Sequence, residues 1–234
     1  MKKRIAALIA AAGRGTRMGS SPRKKQYHLL GDRPILAHTA AIFQESPLIT
    51  DIVIVVGPED IPYCQGEIVD KYALSKVQQI VAGGESRTDS VYQGLLSLAP
   101  DTHMVLVHDG VRPLFPPSLI PEVVQAVHTY GAAVVAVPVK DTIKISDKDG
   151  FVKETPDRDT LWAVQTPQAF SYPLLLQAYR AAQDAGLTAT DDAMLVEALG
   201  RRVKLVPGVY ENLKITTPAD MDLAETLLKR GELP

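Results

Sequence analysis

An apolar run that passes into a glycine-rich, cationic loop near the N-terminus restricts the fold of this chain more than any other stretch. The run covers residues 5–12, a length typical of a buried strand, and glycines follow at positions 13, 15 and 19. Arginines and lysines between positions 14 and 25 add five positive charges. Because glycine has no Cβ, such a loop lets backbone N–H groups approach an anion closely. We therefore predict a phosphate-binding loop at the carboxyl end of the first strand.

The spacing of this loop matches neither of two common nucleotide-binding motifs. A Walker loop ends in Gly-Lys-Ser/Thr, whereas Gly19 is followed directly by serine. The dinucleotide fingerprint places a third glycine where Met18 stands, and an acidic residue at the end of the second strand, where this chain has Val55-Val56-Gly57. A solvated basic loop with turn glycines is the alternative to a binding loop, and the loop by itself favours neither.

The composition indicates one large α/β domain, or a domain with an appendage, within residues 1–234. A net charge of −2 disfavours nucleic acid as a partner. Cys64 is the only cysteine, which excludes an internal disulfide and a thiolate zinc cluster and suits the reducing cytoplasm. The N-terminus is basic and then apolar, as in a secretory signal, but the run is short and is followed directly by glycines and arginines. We expect a buried strand there and no membrane-spanning segment.

Strands and helices are predicted to alternate along the chain. The later strands are short, apolar and rich in β-branched residues, at 51–57, 77–82, 103–108, 132–137 and 202–206. The helices have apolar residues at helical spacing or capping residues at their starts, at 34–45, 62–74, 86–98, 117–130, 173–185, 191–199 and 217–229. Because strands that are apolar on both faces are buried on both faces, we expect a mostly parallel sheet covered by helices on either side.

The alternation is interrupted after residue 139. Residues 142–146 and 151–155 flank Asp147-Lys148-Asp149-Gly150, a sequence typical of a β-hairpin turn. An isolated two-stranded ribbon is only marginally stable in water. We therefore expect this hairpin to pack on something else, and a second subunit is the natural candidate.

Polar residues follow several of the predicted strands. Ligands of open parallel sheets bind outside the carboxyl ends of the strands, so these residues are expected at one rim. They are Gly13, Gly15, Arg17 and Lys25 after the first strand, residues 83–90, then Asp109, Gly110 and Arg112, and finally Asn212, Lys214, Thr216 and Thr217. Cations from three loops around one carboxylate would suit a nucleoside triphosphate and a divalent metal.

Each of these residues also has an ordinary structural explanation. Arg17 and Lys25 are explained as solvated charges, Asp109 as a turn residue paired with Arg112, and Lys214 as a solvent-facing strand lysine. His108 is flanked by apolar residues, so we expect a hydrogen-bonded core histidine rather than a ligand. Their joint placement at strand ends favours function.

A set of motifs in fixed order then identifies a family. They are AAGxGxRM, Lys25-Gln26, GGxxRxxSV (83–91), VHDGVRP (107–113), VKDT (139–142), LWAVQTPQAF (161–170), TDDA (190–193) and NLKITTPAD (212–220). Along essentially its whole length the chain resembles the 2-C-methyl-D-erythritol 4-phosphate cytidylyltransferases. The resemblance implies a Rossmann-like nucleotidyltransferase fold in one domain, a cytoplasmic homodimer formed through a β-arm at about residues 139–163, and Mg²⁺ held mainly by the triphosphate. It also implies a transferase of isoprene biosynthesis, in which CTP and methylerythritol phosphate give the CDP-linked alcohol and pyrophosphate.

The resemblance also implies roles for individual residues. Arg17, Lys25 and Lys214 would be catalytic, contacting the triphosphate and stabilising the pentavalent α-phosphate. The nucleotide-binding residues would be Ala11, Ala12, Gly13, Gly15, Gly84, Glu85, Ser90 and Asp109. The residues that bind the second substrate would be Asp109, Arg112, Thr142, Arg158 and Thr166, with Thr142 and Arg158 reaching the partner subunit's substrate from the arm.

The chain departs from the family pattern at three places. An additional residue precedes Lys25, so that Lys24 competes for the catalytic role; we assign it to Lys25 because Gln26 follows. Glu85 stands where aspartate is common, and Val111 replaces a small alanine. Two other interpretations remain at this point: a ribitol-5-phosphate cytidylyltransferase, which shares the scaffold, and a non-catalytic nucleotide-binding module.

Overall fold

A computed structural model describes residues 3–13 and 24–230. In chain order, its strands are β1 (Arg4–Ala10), β2 (Leu29–Leu30), β3 (Arg33–Pro34), β4 (Asp51–Val56), β5 (Val77–Ala82), β6 (Thr102–Asp109), β7 (Ala132–Pro138), β8 (Ile145–Ser146), β9 (Val152–Glu154), β10 (Trp162–Ser171) and β11 (Lys204–Pro207). Its α-helices are α1 (Ile35–Glu45), α2 (Ile61–Tyr63), α3 (Arg87–Ser97), α4 (Ile120–Tyr130), α5 (Tyr172–Ala185), α6 (Asp192–Ala198) and α7 (Pro218–Lys229).

Seven strands form one sheet in the order β11-β7-β10-β6-β1-β4-β5. All are parallel except β10, which runs antiparallel to both of its neighbours. The predicted mostly parallel α/β sheet is therefore confirmed. Because β1, β5 and β6 run in the same direction, the loops that follow them meet at one edge of the sheet.

Helices cover both faces of the sheet, and the side chains of β1 alternate between the two. Ala7 and Ile9 belong to an apolar cluster that includes residues of α1 and α4. Ala6 and Leu8 belong to a second cluster that includes residues of α3, α5 and α6. The continuous apolar sequence of β1 thus follows from burial on both faces.

The segment between β4 and β5 differs from the single helix predicted at residues 62–74. It consists of a 3-10 turn at Pro58–Asp60, the short α2 and a π-helical turn at Cys64–Asp70. The turns still place apolar side chains in the core, since Cys64 and Ile68 are fully buried. Two prolines and a glycine within the segment account for the irregular winding, because neither residue type favours a regular helix interior.

β10 was not predicted as a strand, although it lies in the middle of the sheet. Its sequence contains Pro167 between Thr166 and Gln168, and a proline argues against a central strand because it cannot donate to the ladder. The structure accommodates this proline with a break in the β7 register between Val164 and Gln168. The polar side chains of β10 are buried and take part in the site described below.

The predicted hairpin is present but is shorter than expected, with β8 paired to β9. The Asp147 carboxylate accepts hydrogen bonds from the N–H groups of Asp149 and Phe151, and this closes the turn. Apolar side chains on the hairpin face solvent: Phe151 is 72% exposed, and Ile143, Ile145 and Val152 are also exposed.

Within residues 3–13 and 24–230, no helix combines the length and the apolar character needed to cross a membrane.

The packing of α3 on the sheet allows a stability prediction. A Cβ on Gly94 would lie 2.8 Å from atoms of both Leu8 and Val55. Although alanine is the better helix former, we expect Gly94→Ala to lower the free energy of unfolding by about 1–2 kcal/mol through overpacking. Gly66 lies in a helical turn with open space around its α-carbon. Gly66→Ala, the control, is expected to leave stability unchanged or raise it by up to about 1 kcal/mol. Urea unfolding measures the free energy of unfolding of both variants. An equal loss in Gly94→Ala and Gly66→Ala would contradict the close packing around Gly94.

Candidate functional site

A cavity of about 660 Å³ opens at the carboxyl ends of β1, β5 and β6. It is bounded by the chain directly after each strand, by the 3-10 turn that begins at Lys25, and by Lys214. The lining residues are Ala10, Ala11, Ala12, Gly13, Lys25, Gln26, Gly84, Glu85, Ser86, Arg87, Ser90, Asp109, Val111 and Lys214. Residues from each of the four predicted groups of strand-end residues therefore line the cavity, namely Gly13 and Lys25, residues 84–87, Asp109, and Lys214.

Asp109, the last residue of β6, is held by three cations. Its carboxylate lies 3.0 Å from Lys214 Nζ and 3.4 Å from the Nε atoms of Arg87 and Arg112. The side chain is only 8% exposed. Burial alone would raise the pKa of Asp109, but the charges of Arg87, Lys214 and Arg112 outweigh this and hold the pKa well below its usual range. Asp109 is thus a fixed anion.

Arg87 joins Asp109 to a second buried carboxylate. Its Nη2 lies 2.9 Å from Asp192 Oδ2, and the Asp192 side chain is 1% exposed. The Tyr179 hydroxyl donates to the other oxygen of Asp192. Burial would lower the pKa of Arg87, but the charges of Asp192 and Asp109 overcome this and raise it. A buried carboxylate requires a positively charged or hydrogen-bonding partner. Arg87 is such a partner for Asp109 and Asp192 at the same time.

His108 and Thr166 support Asp109 from behind. The Thr166 hydroxyl oxygen accepts the N–H of Asp109 at 3.0 Å and lies 3.1 Å from His108 Nδ1. His108 Nε2 lies 3.1 Å from the Arg112 carbonyl oxygen. Since a carbonyl only accepts, Nε2 carries the proton and Nδ1 accepts from the Thr166 hydroxyl. The expectation that His108 is a hydrogen-bonded core residue is confirmed.

The chain segment that carries Lys214 is fixed on both sides. Asn212 donates from Nδ2 to the Gln165 side chain and to the Thr166 carbonyl, at 3.0 and 2.9 Å. Ile215 is fully buried, and its N–H donates to the Val111 carbonyl at 2.9 Å. Arg112 donates from Nη1 to the Asn212 carbonyl at 2.7 Å. Lys214 therefore reaches Asp109 from an anchored backbone segment and is not simply a solvent-facing strand lysine.

Lys24 and Lys25 have different surroundings, although they are adjacent. Lys24 Nζ contacts the carboxylates of Asp60, at 2.7 Å, and Glu59. Lys25 lines the cavity. The next residue, Gln26, is buried and donates from Nε2 to the Ala11 carbonyl at 2.7 Å. This geometry supports the choice of Lys25 over Lys24 for contact with an anion in the cavity.

Gly83 packs closely against Ala12 and Ser90, two residues that line the cavity. A Cβ on Gly83 would lie 2.4 Å from Ala12 Cβ and 2.7 Å from Ser90 Oγ. The Gly84 N–H donates to Ser90 Oγ at 3.1 Å. Only glycine at position 83 allows the side chains of Ala12 and Ser90 to lie this close to the backbone, so this part of the cavity wall consists of small side chains and backbone groups.

The structure unites most of the predicted site residues but not all. Ala11, Ala12, Gly13, Lys25, Gly84, Glu85, Ser90, Asp109 and Lys214 line the cavity. Arg112 reaches it through Asp109, and Thr166 lies buried behind Asp109. Thr142 and Arg158 are exposed on the hairpin segment and do not line the cavity of their own chain. Gly15 and Arg17 lie outside the described residues.

Three residues near the site were given no role from the sequence. Arg87, Asp192 and Gln168 all lie within the recognised motifs, but their partners are far apart in the chain. Gln168 accepts the N–H groups of Asp192 and Ala193 and donates to Asp191, which fixes the start of α6. The sequence signal for Gln168 was a polar residue directly before the apolar Ala169 and Phe170. The pairing of Arg87 with Asp192 becomes visible only in the tertiary structure.

Within the described residues, no three His, Cys, Asp or Glu side chains are grouped to hold a metal ion. Asp109 lines the cavity, and its oxygens already face Arg87, Arg112 and Lys214. The donor set of this part of the chain therefore does not fit a metal site built from protein ligands alone.

Comparison with known proteins gives one consistent result. The model of the family described as 2-C-methyl-D-erythritol 4-phosphate cytidylyltransferase matches residues 5–230. The protein of that name from Pelotomaculum thermopropionicum is 52% identical over 226 residues, which cover 97% of this chain and 94% of the relative. The corresponding protein from Desulforamulus reducens is 51% identical and is covered to 96%.

Solved structures agree with this result. The crystal structure of 4-diphosphocytidyl-2C-methyl-D-erythritol synthase from Anaerococcus prevotii superposes with a TM-score of 0.87 at 36% identity, covering 98% of this chain and 97% of that one. The crystal structure of 2-C-methyl-D-erythritol 4-phosphate cytidylyltransferase from Thermus thermophilus gives 0.77 at 34% identity, covering 95% and 98%.

His108 makes a testable contribution to the pH dependence of stability. Burial lowers the pKa of His108 to about 4 from an ordinary value of 6.5. Between these values the unfolded chain binds a proton that the native chain does not, so stability is lost as the pH falls. From pH 7 to pH 5, this group is expected to account for about 2 kcal/mol of lost stability.

His108→Gln is therefore expected to lose about 2 kcal/mol less than the parent protein between pH 7 and pH 5, whatever its stability at pH 7. His128→Gln, on the exposed surface of α4, is the control and should show the parent's pH dependence. Urea unfolding at the two pH values measures the difference. Parallel curves for parent and His108→Gln would contradict a neutral, buried imidazole.

Proposed function

The chain belongs to the 2-C-methyl-D-erythritol 4-phosphate cytidylyltransferase family, and we propose that the cavity described above is where its reaction takes place. The enzyme transfers the cytidylyl group of CTP to 2-C-methyl-D-erythritol 4-phosphate in the methylerythritol phosphate route to isoprenoids. The products are 4-diphosphocytidyl-2-C-methyl-D-erythritol and pyrophosphate. The observation that carries the assignment of the site is the cluster of Arg87, Arg112 and Lys214 around Asp109, in the same cavity as Lys25.

The reaction needs charge neutralisation more than proton transfer. A phosphate monoester is already anionic near neutral pH, so one of its oxygens attacks the α-phosphorus of CTP without a general base. The bond between the α-phosphorus and the bridging oxygen to the β-phosphate breaks, and pyrophosphate leaves with that electron pair. Two polyanions must approach each other, and cations already held in place offset their repulsion and stabilise the transition state.

Lys25 and Lys214 are the two lysines we assign to the reacting phosphate. They lie on different chain segments that line one cavity, so an α-phosphate between them would be contacted from two sides. Asp109 holds the Lys214 ammonium group through an ion pair of 3.0 Å at the wall of the cavity. Arg17 is the third cation that we assign to the phosphates. This assignment rests on its place in the loop motif alone, because Arg17 lies outside the described residues.

The part of the cavity that is walled by small residues suits a pyrimidine. Ala11, Ala12, Gly84, Glu85 and Ser90 line this part, and Gly83 packs closely against Ala12 and Ser90. We assign cytosine to this end and the triphosphate to Gly13, Gly15 and the cations. The polar groups that face a base here are backbone groups and the Glu85 side chain, which can distinguish bases by hydrogen bonding.

The second substrate is assigned to the rim near Asp109 and Arg112, and to the hairpin of a second subunit. Thr142 and Arg158 are exposed and do not line the cavity of their own chain, which leaves them available for contact in trans. The exposed apolar side chains on the hairpin support a homodimer, because soluble proteins rarely leave such a group uncovered. Thr166 serves the site as a support for Asp109 and His108.

Mg²⁺ is the proposed cofactor, bound through the phosphate oxygens of CTP. Such an ion would neutralise part of the triphosphate charge. Within residues 3–13 and 24–230, the cavity contributes hydrogen-bonding cations, and the Asp109 carboxylate is already paired with three cations. The single cysteine and the nucleotide substrate are consistent with a cytoplasmic location, which we also propose.

Pyrophosphate release tests the catalytic roles. We expect Lys25→Ala and Lys214→Ala each to lower kcat/KM by on the order of 10²- to 10³-fold, by analogy with the loss of an oxyanion-stabilising donor. Lys71→Ala removes a lysine from an exposed ion pair with Glu67, away from the cavity, and is the control. Full activity in either cavity variant would show that the substituted lysine has no catalytic role.

The same assay tests the substrate. The protein should release pyrophosphate from CTP with methylerythritol phosphate and not with ribitol 5-phosphate. Release with ribitol 5-phosphate alone would keep the site and overturn the substrate. CTP binding without turnover on either polyol phosphate would instead indicate a binding module.

The dimer proposal has its own test. Phe151→Asp places a charge on the most exposed apolar side chain of the hairpin, and we expect it to shift the protein toward a monomer in light scattering and to lower activity. Leu223→Asp, at an exposed leucine of α7, is the control and should keep the parent's mass. A monomeric parent protein with full activity would contradict contact in trans.

A further inference from the structure

Lys24 is held by two carboxylates and is not among the residues that line the cavity. Its Nζ lies 2.7 Å from Asp60 Oδ2 and also contacts Glu59. The ammonium rests over Gly57, where a Cβ would lie 2.8 Å from Nζ. The side chains of Lys24 and Asp60 are 23% and 13% exposed, so this ion pair is partly withdrawn from water. Water and salt therefore screen the attraction between these charges less than they would in a fully exposed ion pair.

The residues after Lys24 are anchored as well. Gln26 donates from its buried side chain to the Ala11 carbonyl at 2.7 Å. Tyr27 is buried and packs edge-on against Tyr63, with ring centroids 4.8 Å apart. Lys25 lies between these anchors and lines the cavity. Both sides of the residue assigned to the α-phosphate are therefore fixed.

The backbone links the position of Lys24 directly to that of Lys25. Lys24 is the extended residue that precedes the 3-10 turn, with φ −61° and ψ 145°. Its carbonyl accepts the N–H of Tyr27 at 3.0 Å, and this hydrogen bond closes the turn that contains Lys25. A displacement of Lys24 would therefore move the start of the turn and change the direction from which the Lys25 side chain enters the cavity.

We propose that Lys24 is a positioning residue: its ion pair with Asp60 and Glu59 fixes the turn that presents Lys25 to the α-phosphate of CTP. The inference rests on the proposed function, because it takes Lys25 as the group that contacts the phosphate. It gives a role to Lys24, the other lysine that competed for the catalytic assignment. It also gives a role to the acidic pair that follows β4.

A rival role for Lys24 makes the opposite prediction for its partners. A lysine that leaves its carboxylates to bind the triphosphate is hindered by them, so neutralising Asp60 would leave CTP binding unchanged or strengthen it. A positioning lysine needs its carboxylates, so neutralising Asp60 would weaken catalysis as much as removing the lysine. The signs of the two effects separate the roles.

The test is a double-mutant cycle on kcat/KM for CTP, with Lys24→Gln, Asp60→Asn and the double variant. We expect each single variant to lose about 5- to 20-fold, because a displacement of a catalytic group by a fraction of an ångström already slows the chemistry. The double variant is expected to lose no more than about threefold beyond either single variant, since both changes break the same ion pair. Lys71→Gln, which breaks the exposed pair with Glu67, is the matched control and should retain the parent's kcat/KM.

A second cycle places Lys24→Gln and Asp60→Asn in a Lys25→Gln background. Each change is expected to alter the remaining kcat/KM by less than about twofold, because the group that they position is gone. An ion pair that only stabilises the fold would lower the melting temperature and leave kcat/KM intact at low temperature. That result would overturn the proposal, as would additive losses or unimpaired activity in Asp60→Asn.

The failure of this inference is distinguishable from failure of the proposed function. If Lys25→Gln retains full activity, Lys25 is not the phosphate contact, and the proposed role falls together with the inference. If Lys25→Gln is impaired and the Lys24 and Asp60 variants are not coupled to it, only the positioning role falls.

Discussion

The site depends on one buried anion, Asp109, held among three cations at the end of the central β6 strand. Three positive side chains confined near one another would repel, and a carboxylate without partners would not remain charged at this depth. Each group makes the burial of the others possible. The result is a cluster that keeps its geometry before substrate arrives. Arg87, Arg112 and Lys214, counted against Asp109 and Asp192, leave one excess positive charge. Preorganisation of this kind is what phosphoryl transfer requires from a protein.

The fold supplies this cluster through its least regular strand. β10 runs antiparallel in an otherwise parallel sheet, and its polar residues support the site from behind: Thr166 holds Asp109 and His108, and Gln165 holds Asn212 near Lys214. Gln168 fixes the start of α6, whose Asp192 holds Arg87. A strand made only of apolar residues would give an equally good core but no hydrogen bonds for these loops. The polar sequence of β10 is therefore explained by the site and not by the sheet.

Much of the fold and of the cavity lining followed from the sequence because local signals agreed with the tertiary structure. Apolar runs predicted the parallel strands, Ser86 and Thr217 predicted helix starts, and the rule that ligands bind beyond strand ends brought Lys25, Asp109 and Lys214 together. β10 was missed because Pro167 and buried glutamines argue against a central strand when only neighbours in sequence are considered. The pairing of Arg87 with Asp192 was missed for a related reason: the two residues are far apart in the chain, and nothing local marks either as buried.

The central claim is that two lysines on different segments, Lys25 and Lys214, flank the α-phosphate while Asp109 holds Lys214 in place. A crystal structure of the protein with CTP and Mg²⁺ tests this most directly. The account predicts that oxygens of the α-phosphate lie within hydrogen-bonding distance, about 3 Å, of both ammonium groups, with Lys214 still in contact with Asp109. An α-phosphate more than about 6 Å from either lysine, or a contact made by Lys24 in place of Lys25, would contradict it.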